Sequence, residues 1–150
     1  MTKARPGSDV DPIVRLVAIS DQPLTTDLHE AAVDHPRAGA RVVFCGVVRE
    51  HDHGRTVVEL EYQGHPTAEQ VLAEIAAEFA AEPEVLALAV SHRVGTLEVG
   101  DVAIVAAVAT GHRREAFVLC ARLVDEVKAR LPIWKRQVFA DGSDEWVNCP

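Results

Sequence analysis

This chain of 150 residues has no apolar run long enough to span a bilayer. It also has no basic opening segment that leads into an apolar one, so neither a membrane anchor nor a secretory signal is expected. CxxC spacing is missing as well. Cys45, Cys120 and Cys149 are scattered, and their odd number does not suit a closed disulfide framework. Reduced thiols in a cytoplasm fit that usage. Cys45 and Cys120 fall within apolar patterns and are expected as small core residues, with Cys149 exposed near the end. Basic excess is the third absence. Fifteen Lys and Arg stand against 23 Asp and Glu, a net charge of −8, which argues against a broad nucleic-acid or anionic-membrane surface. A small local basic pocket stays possible. Finally, no repeat, low-complexity stretch or linker interrupts the chain. Residues 11–150 are expected to form one domain behind a disordered leader, residues 1–10, that contains Pro6, Gly7 and Ser8.

What is present reads as alternating strands and helices. Strands are expected at Ile13–Ile19 and at the β-branched run Arg41–Arg49, in which Gly46 lets the backbone pass close to a neighbour. Val57–Tyr62 is expected to form a hairpin with that run, across the polar loop Glu50–Arg55. Val85–Val94 and Val102–Ala109 complete the apolar strands, with Gly95–Asp101 as a turn between them. A short helix is expected within Pro23–Pro36, capped by Thr25 or Thr26. A second runs over about Thr67–Glu82, where Thr67 and Gln70 resemble a capping box. A third opens at His112-Arg113 and runs to Pro132. Val138–Val147 looks like a small hairpin around Asp141-Gly142.

The third helix and its exit carry the chemistry. Phe117, Cys120, Val124, Val127 and Leu131 recur at helical spacing and should face a core. Lys128 falls between Phe117 and Ala121 on the helical wheel, so it snorkels, pairs with an acid, or faces a desolvated pocket. Pro132 ends the helix because it has no N–H and clashes with the preceding turn. Ile133 and Trp134 can anchor the exit while Lys135 turns back toward Lys128. Two amines beside an apolar wall suggest chemistry on an anion, although a snorkelling lysine beside an ordinary surface lysine matches the same pattern. At the other end of the helix, His112 and Arg113 add donors and charge to the free N–H groups of a helix N-terminus. That junction suits either an anion or a salt bridge to a neighbouring acid. His51 and His53 raise a metal reading, but no partner stands at zinc-site spacing, and a solvated loop is the simpler account.

Several separated segments together resemble the catalytic large subunits of molybdopterin synthases. They are Phe44-Cys-Gly-Val-Val-Arg49, Leu60-Glu-Tyr62, His92-Arg-Val-Gly-Thr-Leu97 with Val99-Gly100, His112-Arg113 with Ala116-Phe117, and Asp125 to Lys128. Pro132-Ile-Trp-Lys-Arg136 and Asp141-Gly142 with Trp146-Val147 complete the set. The segments are collinear from about residue 13 to residue 147, and the Lys-x-x-x-Pro-x-Trp-Lys stretch is the most diagnostic of them. The resemblance implies an α+β fold of the α/β-hammerhead type with mixed and antiparallel strands. It implies a central homodimer within a heterotetramer, in which a small ubiquitin-like sulfur-carrier subunit inserts its C-terminal Gly-Gly thiocarboxylate into a pocket. There, two sulfurs reach cyclic pyranopterin monophosphate and form the dithiolene of molybdopterin.

By the same resemblance Lys128 and Lys135 are the catalytic lysines. Val47, Val48, Arg49, His112, Arg113, Arg136 and Gln137 join them in holding the substrate. Neither a metal nor another cofactor is implied for this step. Two departures stand out: Gln137 replaces an acid common in the family, and Gln63 and His65 stand where Glu and Tyr are common. The competing readings are a non-catalytic dimeric scaffold for a ubiquitin-like partner and a metal site built on His51, His53 and His112. A scaffold would not need Lys128, Lys135, Arg49, His112 and Arg113 together.

Overall fold

The computed structural model describes residues 12–52 and 54–148. The proposed leader, His53 and Cys149 therefore lie outside the described residues. In chain order the elements are β1 (Val14–Ser20), α1 (Thr26–Ala32), β2 (Ala40–Val47), β3 (His51–Asp52) and β4 (Arg55–Gly64). There follow α2 (Ala68–Ala80), β5 (Val85–Arg93), β6 (Gly95–Glu98), β7 (Val102–Thr110), α3 (Arg113–Arg130), β8 (Ile133–Phe139) and β9 (Asp144–Asn148).

Two sheets result, in an α+β arrangement. The first has the order β1-β5-β7-β2, with β1 parallel to β5 and the other pairs antiparallel. β5 from Val85 to Val90 and β7 from Val102 to Ala109 are continuous apolar runs, as suits strands with both faces covered. Leu88, Val90, Ala106 and Val108 turn toward α2 and α3, where Leu72, Ile75, Phe79, Leu119, Leu123 and Val127 meet them in the main core. Ala87, Ala89, Ala107 and Ala109 turn the other way and form a smaller cluster with Val33 at the end of α1. That alternation is the period-2 pattern of a strand serving two cores. α1 is further tied down by His29, 1% exposed, whose Nδ1–H donates to the Thr25 carbonyl. Its Nε2 accepts from the Ser91 hydroxyl at 2.7 Å. Thr25 caps the same helix by accepting from the Leu28 N–H.

The second sheet is built around β4. β8 pairs along one edge of β4 and the short β3 and β6 along the other, while β9 lies outside β8.

Several expectations are corrected. β4 does not pair with β2: β2 ends the first sheet on β7, from Ala40 to Val47, while β4 belongs to the second sheet. The hairpin closes instead between β4 and the two residues of β3. Part of the expected turn Gly95–Asp101 is a strand, β6, since Gly95–Glu98 pairs with Glu59–Tyr62. The capping box is not formed: the Thr67 hydroxyl and N–H both go to His65 Nδ1, and Gln70 bonds Glu74. Phe117 is 61% exposed, and Cys45 is exposed rather than core. The buried stripe of α3 is Ala116, Leu119, Cys120, Leu123, Val124 and Val127, which leaves Phe117, Ala121 and Lys128 on an outward arc.

Candidate active site

α3 ends where Leu131 turns extended, with ψ 124°, and its N–H still bonds the Val127 carbonyl. Pro132 follows, and β8 starts at once on Ile133, which is fully buried. Lys128 thus sits in the last turn of α3 and Lys135 three residues into β8. Residues directly opposite each other in an antiparallel pair share a face. Lys135 lies opposite Tyr62 and Gln137 opposite Leu60, so these four point to one side of the second sheet. Lys128, Lys135 and Gln137 line a pocket of about 270 Å³, together with Leu60 and Tyr62 of β4.

The opposite wall comes from the end of β2. Val47, Val48 and Arg49 line the same pocket, as do His51 and Asp52 of β3. Two backbone bonds hold that wall: the Val48 N–H donates to Asp101 at 2.9 Å, and the Val48 carbonyl accepts from Gly100 at 2.7 Å. Gly46 permits the approach, because a Cβ there would stand 2.6 Å from Ile104 Cγ2. Arg49 is met at its tip by Asp52, with Nη2 3.6 Å from Oδ1. The other carboxylate oxygen of Asp52 accepts from Gln137 Nε2 at 2.7 Å. Two lysines and an arginine around so small a space suit an anion undergoing proton transfer.

Behind the pocket, His92 packs edge-to-face on Tyr62 with ring centroids 4.9 Å apart. It is 3% exposed, and its Nδ1–H donates to the Arg93 carbonyl at 2.7 Å. Burial pushes its pKa down to about 4, and the positive charge of Lys128 acts in the same direction. The ring is therefore neutral near pH 7 and adds no charge behind the lysines.

Of the nine residues singled out from the sequence, six line this pocket: Val47, Val48, Arg49, Lys128, Lys135 and Gln137. The structure places Arg136, His112 and Arg113 elsewhere. Arg136 follows Lys135 on a strand and so points to the opposite face. It bonds Asp144 at 2.8 Å and pairs with Glu61 at 3.7 Å, and these acids raise its pKa. His112 is the N-cap residue of α3 and lines a separate cavity of about 370 Å³ with Arg37, Glu84 and Glu115. Arg113 begins α3 and is exposed. At 1.5 Å per residue, the fifteen steps from Arg113 to Lys128 span about 22 Å, too far for both to serve one pocket within a single chain. Sequence reasoning missed Asp52 and Tyr62 as pocket residues. The pairing of β4 with β3 and β8 brings them in; the Leu60-Glu-Tyr62 segment marked Tyr62, and no local motif marked Asp52. Among the described residues, no group of three or more His, Cys, Asp or Glu comes together as a metal site.

Comparison with known proteins adds an independent line. The model of the MoaE protein family matches residues 19–130. The chain is 40% identical over 133 residues to the molybdopterin synthase catalytic subunit of Nostoc sp., an alignment that covers 87% of this chain and 81% of that one. Its fold is similar to the crystal structure of molybdopterin synthase from Staphylococcus aureus, with TM-score 0.80 and 30% identity over 89% of this chain and 96% of that chain. A complex of subunits 1 and 2 of the molybdopterin-converting factor from Helicobacter pylori shares the fold at TM-score 0.65 and 18% identity, covering 91% of this chain and 89% of that chain.

Proposed function

This chain belongs to the MoaE protein family, and on that basis we propose that it acts as the catalytic subunit of a molybdopterin synthase, a sulfurtransferase of molybdenum cofactor biosynthesis. The observation that carries this reading is one pocket uniting Lys128, Lys135 and Arg49 beside Tyr62 and Gln137. The sulfur donor is the C-terminal Gly-Gly thiocarboxylate of a small ubiquitin-like carrier subunit. The acceptor is cyclic pyranopterin monophosphate, which receives two sulfurs in successive rounds. A space of about 270 Å³ suits a tail without side chains. Lys128 serves as the general acid and base, Lys135 stabilises developing charge and orients the carrier terminus, and Arg49 holds the anionic substrate.

The same reading includes a homodimer. Phe44 and Phe117 are exposed beside an apolar groove of about 350 Å³ that Val42, Val43, Ala121 and Val124 help to line. A second copy of this chain is the occupant proposed for that groove. Arg113 lies one helical turn before Phe117, so packing over Phe117 would carry His112 and Arg113 toward the second copy. In sedimentation at micromolar concentration the chain is expected to run as a dimer, and Phe117→Asp as a monomer. A parent that runs as a monomer removes the dimer from the proposal.

The activity is tested by supplying cyclic pyranopterin monophosphate and a thiocarboxylated carrier subunit and measuring molybdopterin. Product is the expected result. Tight carrier binding without product would sink the catalytic reading and leave a scaffold.

A further inference from the structure

Among the described residues that line the pocket, Asp52 is the one acid beside the cations Arg49, Lys128 and Lys135. Asp52 lies on the two-residue strand β3, with its side chain 16% exposed, whereas the side chain of Arg49 is 79% exposed. We propose that Asp52 is a positioning residue, which takes its own place from Gln137 and sets the direction of the Arg49 guanidinium over the substrate anion. The proposal rests on the reading of this pocket given above.

The support runs outward from the core. Gln137 is 3% exposed, and its place on β8 is set by the register opposite Leu60. Its amide donates to Asp52 Oδ2 at 2.7 Å, and the other oxygen of that carboxylate faces Arg49 Nη2 at 3.6 Å. A buried amide, a carboxylate and a guanidinium therefore form one series. A free arginine side chain would lose much rotamer entropy on binding an anion, and an acid already at its tip removes part of that loss. The pairing also gives Gln137 a reason to be an amide. A carboxylate at position 137 would meet Asp52 as a like charge at hydrogen-bond distance, and one of the two would have to hold a proton.

The primary readout is the Kd for cyclic pyranopterin monophosphate, measured calorimetrically on the carrier-free protein, so that binding is judged apart from turnover. Asp52→Ala is expected to weaken binding by about tenfold in the parent and to have little effect in an Arg49→Ala background, the signature of two residues acting as a unit. Gln137→Glu should weaken binding at neutral pH and regain it as the pH falls. The double variant Asp52→Asn/Gln137→Glu keeps one amide and one carboxylate in contact but leaves no acid at the Arg49 tip, so it should lose the pH dependence of Gln137→Glu and still bind more weakly than the parent. An unchanged Kd for Asp52→Ala, or an equal loss with and without Arg49, would overturn the proposal. A parent that binds the compound but forms no molybdopterin refutes the catalytic reading and leaves the Asp52 result standing. A parent that does not bind it refutes both.

Discussion

Lys128→Ala is expected to lower molybdopterin formation by about 10²–10⁴-fold, the range that a positioned general acid or base contributes, while carrier binding is retained. The size of the effect follows from location. Lys128 occupies the last turn of α3, on the outward arc rather than the buried stripe, and lines the pocket with Lys135 and Arg49. Truncation removes the amine without opening the core, since Val127 and Leu131 on either side remain buried. Alanine is also the strongest helix former, so the exit of α3 into Pro132 and β8 should survive. Thermal unfolding should therefore barely move while turnover collapses. Lys128→Arg separates the two possible roles of the amine. Arginine keeps the charge but does not give up its proton near neutral pH, so it should rescue little if proton transfer is the task. Near-parental turnover in Lys128→Ala would remove Lys128 from the catalytic role.

The second large effect is on stability in acid. His92 is buried and neutral, with its pKa depressed from 6.5 to about 4. In that window the unfolded chain binds a proton that the folded chain does not. The contribution is fully present above pH 6.5 and is lost as the pH falls toward 4. At 1.36 kcal/mol per pKa unit, the loss between pH 7 and pH 4 is about 3 kcal/mol. His29, whose pKa burial also lowers, acts in the same direction. Urea unfolding of the parent and of His92→Phe, which keeps a ring against Tyr62, isolates the first contribution. The parent should lose about 3 kcal/mol more than the variant over that range. Parallel loss in the two chains would show that His92 does not govern the acid response.

The elements themselves were largely legible in the sequence. Strand β7 reads as an uninterrupted apolar run, and α2 shows its stripe in Leu72, Ile75 and Phe79. Pro132 marks the end of α3 because a residue without an N–H cannot continue the helix. The Lys-x-x-x-Pro-x-Trp-Lys stretch marks the pocket because its break turns the second lysine back toward the first. Such features depend on neighbours in the chain, so local chemistry reveals them.

Pairing and facing were not legible in the same way. Phe117 satisfied the helical pattern yet faces outward, because periodicity defines an arc and not which part of it a neighbour covers. β6 looked like a turn because a four-residue strand gains its stability from β4, a partner distant in sequence. Arg136 stood beside Lys135 in the motif, but strand geometry sends it to the other face, where Glu61 and Asp144 receive it. By itself the sequence determined an α+β chain without a membrane-spanning run and the two lysines flanking Pro132. Only the tertiary structure decided that Arg49, Asp52 and Gln137 meet those lysines while His112 and Arg113 lie a helix length away. Strand register and helix length act over distances that no local pattern records.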